Sequence, residues 1–578
     1  MERRFIIAAL LAFLVLYGWQ ALFVRPVPRP TPGAAVERGT ASTATPAPPP
    51  GAARAAAAEA VAPTRAAAIV GEAVERDIRV ETRDVVAVFT NRGARLKSWR
   101  LKHYLDEDNE PLELVAGELA DTQALPFSLR LPDRAMTATL NDALYSASGA
   151  AADPNAVSTP TQLTFEYRND AGLRAVKEFR LEPSSYLVSF RAAVTDGDQT
   201  LAPAIVWGPG LADTKAVVSR WAVKPRALLS SGGDVERIVT ADIVKQPVYE
   251  QNFEYVGVDD TYFMTIALGP GMSKVSYEPA AIPPPEGSAD PARELMSYSI
   301  EPARRDGAVK FYVGPKELEA LSAIDRGLVR AIDFGMFSFI VVPLLRTLNW
   351  INGLVGNYGW SIVILTAILN VIMLPLRHRQ VVSMRKMQEL QPQVKGIQER
   401  YGKLKTTDPA KQKMNQELMA LYRERGVNPA GGCIPMLLTL PLVFAFYGLL
   451  TVAIELRGAP FMGWVQDLSQ PDPYYVTPIL MGASQLWQQL ITPAAGMDPT
   501  QQKIMLIMPV MMTVLFLGYP SGVALYWLMA NVFGIGQQYV TNSLIGPPTV
   551  PTIRPPAERR IKRVGGGKTE AADAHNKD

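Results

Sequence analysis

The sequence predicts a membrane α-helical bundle of six transmembrane helices joined to a large all-β sandwich domain outside the cytoplasm. Three observations predict it. Apolar runs of spanning length occur once at the N-terminus and five times after residue 357. Between them lie roughly 250 residues of short alternating strands punctuated by Gly, Pro, Asp and Asn. Basic residues are concentrated in the segments that this topology leaves in the cytoplasm.

Residues 1–24 form the first span: Met1-Glu2-Arg3-Arg4 precedes an apolar run from Phe5 to Val24, with Trp19 and Arg25 as interfacial anchors. A cleaved secretory signal is the competing reading, but no small-x-small cleavage site follows cleanly. The other five spans are 358–376, 433–454, 474–491, 504–518 and 522–545. The last two are separated only by the turn at Tyr519-Pro520-Ser521, so they form an antiparallel hairpin. The 504–518 run is short, which calls for a thin bilayer or a turn placed in the interface.

Residues 331–345 are a seventh apolar candidate. They hold Asp333 and Pro343 and are flanked by Arg330 and Arg346, which gives 325–350 the pattern of an amphipathic helix lying along the membrane surface. Charge parity agrees. Residues 377–431 carry 12 Lys/Arg against 5 Asp/Glu, and the tail 546–578 carries 7 against 4. Six spans put both segments and both termini in the cytoplasm, whereas a seventh at 331–345 would expel the basic loop.

Residues 25–73 are rich in Pro and Ala and read as an extended tether. From 74 to 320 the pattern becomes strand-like, for example Val85-Val86-Ala87-Val88-Phe89-Thr90 followed by the turn Asn91-Arg92-Gly93. The one cysteine, Cys433, excludes a disulfide framework and cysteine-type metal clusters, and reads as a small packing residue. Three histidines, His103, His378 and His575, argue against a histidine metal site or a His-dependent triad. The expectation is a non-enzyme with no cofactor and no metal.

The loop 377–431 is helix-prone. Met384, Met387, Leu390, Val394, Ile397 and Tyr401 recur at steps of three and four, as do Met414, Leu418, Leu421 and Tyr422, with a break at 402–409. This predicts a two-helix cytoplasmic hairpin with one apolar seam and a basic exterior that includes Arg377, Arg379, Arg385 and Lys386. A topogenic loop accounts for the charge alone. The organised seam favours a contact for a ribosome, RNA or acidic partner.

No Asp, Glu, Lys or Arg falls well inside the five C-terminal spans, but uncharged polar residues do. Thr366 and Asn370 are four apart and share a helix face. Ser484, Gln485, Gln488 and Gln489 crowd another helix, and Asn531, Gln537 and Gln538 sit on the last. Interhelical hydrogen bonding is one reading of such residues, and a wet groove is the other.

Several ordered pieces make the chain recognisable: Asn428-Pro429-Ala430-Gly431-Gly432-Cys433-Ile434-Pro435, Asp472-Pro473-Tyr474-Tyr475, Asp498-Pro499-Thr500-Gln501-Gln502-Lys503 and Tyr519-Pro520-Ser521-Gly522-Val523-Ala524-Leu525-Tyr526-Trp527. With Leu374-Pro375-Leu376 and Phe311-Tyr312-Val313-Gly314-Pro315, it resembles the YidC family of membrane protein insertases in its Gram-negative form, over nearly its whole length. The resemblance implies insertion of nascent membrane proteins into the inner membrane, alone or with the Sec translocon and its accessory subunits. It implies contact with membrane lipids and a ribosome, no DNA, and no nucleotide or metal. The β domain is then periplasmic and similar to galactose-mutarotase sandwiches, and five helices form the insertase core around a hydrophilic groove. Its implied lining is Thr366, Asn370, Gln485, Tyr526, Trp527 and Asn531, with Arg377, Arg379, Arg385 and Lys386 at the cytoplasmic mouth.

One departure matters. The family pattern carries an arginine where Asn370 stands, and often a tyrosine where Trp527 stands. Asn cannot supply charge, so positive charge is expected from Arg377, His378 and Arg379. A solute transporter would instead require inverted repeats or intramembrane ionisable residues, and neither is evident. A membrane-tethered periplasmic carbohydrate-binding protein would leave the basic hairpin unexplained.

Overall fold

The computed structural model describes residues 68–545 except 107, 120–121, 150–160, 212–223, 283–291, 303–306, 402–409, 427–433 and 493–498. The N-terminal span, most of the tether, the hairpin break, Cys433 and the basic tail therefore lie outside the described residues.

Alternation builds the β domain. In the strand Thr161–Asn169, Leu163, Phe165 and Tyr167 are buried while their neighbours are not, and Gly172, at φ 95°, turns the chain into Leu173–Leu181. The main sheet is antiparallel in every recorded pairing and runs in the order Ala68–Val70, Thr161–Asn169, Leu173–Leu181, Leu187–Asp196, Val309–Pro315, Phe263–Ile282, Val248–Asp259, Arg226–Ser231, Asp234–Val239. A second sheet orders Asp77–Glu81, Val85–Thr90, Arg95–Leu105 and Pro111–Glu113. The first strand lies in the stretch read from sequence as tether: Ala68 pairs with Asn169 and Val70 with Arg168.

The two sheets share an aromatic core. The Phe127 ring meets Phe179 at 5.1 Å, Phe190 at 4.8 Å, Trp207 at 5.2 Å and Phe311 at 5.1 Å. Trp99 of the small sheet donates from Nε1 to the Val313 carbonyl of the large one at 2.9 Å. Lys177 is fully buried and donates to the Gly93 carbonyl at 2.6 Å and the Phe127 carbonyl at 2.8 Å. Burial pushes its ammonium well below the ordinary lysine range.

Helices α1 (Arg134–Asp142) and α2 (Leu318–Ile324) accompany the sheets, with a single helical turn at Thr240–Ile243 between them in the chain. Asp133 caps α1, accepting from Ala135 N at 2.7 Å. The segment 325–350 is not one helix. A 3₁₀ turn at Arg326–Ala331 gives way to α3, Ser338–Val355, which ends at the left-handed Gly356, φ 72°. Val341, Leu344, Leu345, Leu348 and Ile351 bury one face of α3, and Phe339, Trp350 and Leu354 are exposed on the rest.

The remaining helices are α4 (Tyr358–Arg400), α5 (Ala410–Glu424), α6 (Ile434–Val452), α7 (Val476–Ile491), α8 (Pro499–Phe516) and α9 (Ser521–Ile545). The sequence placed a boundary at residues 376 and 377, where charge begins. The helix instead continues unbroken through Pro375 and Pro392. Leu390 and Val394 of α4 pack against Leu418, Leu421 and Tyr422 of α5, and Tyr401 donates to Glu417 at 2.6 Å. Among the described residues, α3 and α4 are long and apolar enough to cross a membrane, and the apolar stretches Leu440–Val452 and Ile504–Phe516 are shorter. α9 packs between α4 and α7, α8 packs on α7, and α3 on α4 and α6.

Charge fixes the β domain to the start of the bundle. Asp259, fully buried, lies 3.1 Å from Lys316 Nζ and 3.2 Å from Arg226 Nη2, and Arg226 reaches Asp333 at 3.0 Å just before α3. Beside this junction a cavity of about 1430 Å³ is lined by Tyr104, Asp260 and Glu317 from one side and Tyr447, Glu455 and Tyr519 from the other.

Candidate functional site

The polar residues of the bundle collect where α4, α7 and α9 meet. On α9, Asn531, Gln538 and Thr541 are buried and recur at helical spacing with Gly534 between them, giving one small and polar stripe. Asn531 Nδ2 crosses to α7 and donates to the Met481 carbonyl at 3.2 Å and to Ser484 Oγ at 3.1 Å. One residue on, Gln485 buries its Oε1 with no hydrogen-bond partner among the described residues. It is one of seven buried side-chain polar atoms without a hydrogen-bond partner among the described residues, with Trp207 Nε1 of the β domain and Gln388 Oε1 of α4 among the others.

A second cluster lies along α4. Thr366 is fully buried, and its hydroxyl donates to the Ile362 carbonyl at 2.6 Å within its own helix. Asn370 Nδ2 donates to the Thr366 carbonyl at 2.8 Å, leaving Oδ1 free to accept from Arg377 Nη1 at 2.7 Å. Arg377 is half-buried and folds back toward Asn370 instead of pointing away from the bundle. Opposite it, Gly534 makes room: a Cβ there would lie 2.3 Å from Gln488 Nε2 and 3.8 Å from Arg377 Nη1.

The structure therefore sets Asn370 and Arg377 of α4 beside Gly534 of α9 and joins Asn531 of α9 to Ser484 of α7, while Thr366 is spent on its own backbone and no recorded contact carries Gln485 to either group. Tyr526 and Trp527 part company. The Tyr526 ring stacks on Phe446 of α6 at 4.1 Å, and Trp527 meets Phe516 of α8 edge-on at 5.4 Å. Arg379 and Lys386 are exposed on α4 beyond the cluster, and the Arg385 side chain lies outside the described residues. Gly534 and Gln488 complete the cluster, Gln488 as one of the four polar residues that crowd α7 and Gly534 as a residue with no polar group to single it out. Their signal was spacing, since Asn531, Gly534 and Gln538 keep one face of α9. Among the described residues no group of three His, Cys, Asp or Glu side chains could hold a metal ion.

Away from the bundle interior, the junction cavity holds carboxyl groups that burial shifts. Glu455 is pushed up to about 7 and Asp260 to about 6, and Glu317 is raised as well.

Comparison with known proteins decides the family. The model of the 60Kd inner membrane protein family matches residues 350–547, and that of the YidC periplasmic domain matches 77–347. A membrane protein insertase YidC of Geobacter metallireducens is 35% identical over 557 residues, covering 94% of this chain and 99% of its own. The chain belongs to the YidC family. A second YidC, from Nitratidesulfovibrio vulgaris, is 34% identical over 554 residues, covering 93% and 98%. A solved active YidC insertase aligns with TM-score 0.34 and 18% identity, covering 82% of this chain and 94% of that one. A galactose mutarotase-like protein from Lactobacillus casei aligns with 42% of this chain and all of its own, at TM-score 0.26 and 12% identity. The β sandwich is the part that the YidC periplasmic domain model matches, and α4–α9 lie within the stretch that the 60Kd inner membrane protein model matches.

Proposed function

We propose that this protein inserts nascent membrane proteins into the inner membrane, alone or alongside the Sec translocon, by offering a polar surface at the junction of α4, α7 and α9 without nucleotide hydrolysis. The supporting observation is the buried, unpartnered Oε1 of Gln485 beside the Asn531–Ser484 bridge. A polar flank crossing hydrocarbon leaves its backbone and side-chain groups unsatisfied, at several kcal/mol each in order of magnitude. Hydrogen-bonding groups lining its path lower that cost while the apolar part of the substrate slides into lipid.

In this reading the chain crosses the membrane six times with both termini cytoplasmic, residues 25–357 lie largely in the periplasm, and α3 rests on the outer surface. The α4–α5 hairpin, with Arg379 and Lys386 exposed, faces the ribosome that delivers the substrate. Depletion of the protein followed by a survey of newly made inner-membrane proteins tests the function. The expected result is a set of proteins left protease-accessible from the cytoplasm. Unchanged insertion across the survey contradicts it.

A further inference from the structure

The outward face of α3 is apolar with one exception. Phe339, Pro343, Arg346, Trp350 and Leu354 recur at helical spacing and form one exposed stripe, opposite the buried Val341, Leu345, Leu348 and Ile351. Phe339, Trp350 and Leu354 are 72%, 65% and 70% exposed, so this stripe needs a cover. α3 stops at Gly356, and α4, long and apolar enough to cross a membrane, starts at Tyr358. The stripe therefore lies where the chain enters hydrocarbon, which makes lipid the cover. Trp350 suits the interface, and Arg346, the one charged residue of α3, can keep its stem on the apolar surface and its head among lipid headgroups.

Arg346 has company. Together with Arg326 and Val329 of the 3₁₀ turn and Ser322 of α2, it lines a pocket of about 560 Å³. Folding thus brings two guanidiniums to one pocket, where they repel each other unless an anion joins them. Among the described residues neither has a carboxylate within ion-pair distance or a recorded hydrogen bond. Arg330 of the same turn, by contrast, donates to the Gly233 carbonyl. The Ser322 hydroxyl already donates to the Glu319 carbonyl at 3.0 Å, so recognition falls to the two arginine forks. Such planar forks match phosphate oxygens bidentately.

We propose that Arg326 and Arg346 hold between them the phosphate of an anionic phospholipid of the outer leaflet. The inference rests on the placement of α3 on the outer surface and is independent of insertion itself. Arg326 follows directly on the end of the β domain and Arg346 sits on the lipid-facing stripe, so one phosphate held by both pins the β domain to the membrane beside the entry of α4.

The test uses the full-length protein in phosphatidylcholine nanodiscs that hold a trace of phosphatidylglycerol with a photoreactive group at the head of one acyl chain. Labelled peptides are read by mass spectrometry. The readout is labelling of residues 322–350 relative to labelling around Val510 and Val514, which are exposed on α8 and report bulk lipid contact. Arg326→Gln or Arg346→Gln is expected to lower this ratio roughly fivefold, the factor one basic side chain contributes at an anionic lipid surface. The double Gln variant lowers it further, and Lys at both positions keeps much of it. Unlabelled phosphatidylglycerol should displace the probe from 322–350, while added phosphatidylcholine or inorganic phosphate at the same concentration should not. An unchanged ratio in the double Gln variant overturns the inference, as does displacement by phosphatidylcholine equal to that by phosphatidylglycerol. Equal displacement by inorganic phosphate shows a site for the free ion and overturns the lipid assignment. The competition arms use the unaltered protein, so they decide the matter even where a variant fails to fold. A second probe, reactive at the acyl terminus, checks the placement: labelling of mid-α3 as strong as that of α8 shows that α3 crosses the bilayer and sinks the placement itself. Weak labelling there, with the headgroup arms failing, sinks the phosphate site alone and leaves the proposed function standing.

Discussion

Lys316 places its ammonium 3.1 Å from the carboxylate of Asp259, and both side chains are almost completely buried. Together with Arg226 and Asp333 they tie the last strands of the periplasmic domain to the segment leading into α3. A buried network of this kind fixes geometry more than it adds stability, but breaking it on one side is costly.

The first prediction follows. Asp259→Ala leaves Lys316 and Arg226 buried with no carboxylate between them and should destabilise the periplasmic domain by about 3–5 kcal/mol. Asp333→Ala removes only a half-exposed partner and should cost under about 1 kcal/mol. Thermal unfolding of the two variants side by side checks the contrast, and equal losses would show that the buried pair is not the anchor.

The second concerns pH. Burial raises Glu455 to about 7, opposed by the Asn349 amide 3.4 Å away and reinforced by Glu317 and Glu319 across the junction cavity. A folded value above the unfolded 4.5 means that the packed junction holds its proton more tightly than the open one. Its packing should be firmest below pH 4.5, weaken as pH rises toward 7, and change little above that. Hydrogen exchange in α2 and the strand Arg95–Leu105 measured at pH 5 and pH 8 should show slower opening at pH 5. Glu455→Gln should remove most of that difference.

The third separates packing from passage. Asn531→Leu deletes the bonds to Met481 and Ser484, and interhelical hydrogen bonds in membranes average about 0.6 kcal/mol. Its thermal stability should therefore fall by about 1 kcal/mol or less, while insertion of polar-flanked substrates falls several-fold. Loss of both in proportion would mark Asn531 as structural.

The fourth reads helix contact. A Cβ on Gly482 would lie 1.8 Å from Thr513 Oγ1 of α8, whereas one on Gly536 meets nothing within 4 Å. Gly482→Val should cost about 1–3 kcal/mol by overpacking, and Gly536→Ala should be neutral or slightly stabilising through helix propensity. Denaturation in detergent compares the two.

Much of this was legible in the sequence, and the misses have physical causes. Strand alternation is periodic and therefore visible, so a large β domain was legible in the sequence. Ala68–Val70 was hidden because three apolar residues inside Pro- and Ala-rich chain carry no period, and only its partner strand makes it a strand. The onset of charge after Leu376 suggested a helix end. Charge reports the water boundary, however, whereas hydrogen bonding defines the helix, and α4 runs on to Arg400. Tyr526 and Trp527 were assigned to one lining although adjacent helical residues point about 100° apart, and the structure sends them to α6 and α8. Arg377 was counted with the mouth because sequence position gives the Cα and not the reach of a long side chain. The seven-residue spacing to Asn370 was the available signal, since i and i+7 share a face.

The most direct test of the central claim is photocrosslinking from the α4–α7–α9 junction to a ribosome-stalled membrane protein whose first span has just emerged. A probe at Gln485 or Asn531 should capture the nascent chain, and a probe at Val510 or Val514, exposed on the outer face of α8, should capture it far less. Equal or stronger crosslinking from the α8 positions, with none from Gln485 or Asn531, would contradict passage along the polar surface.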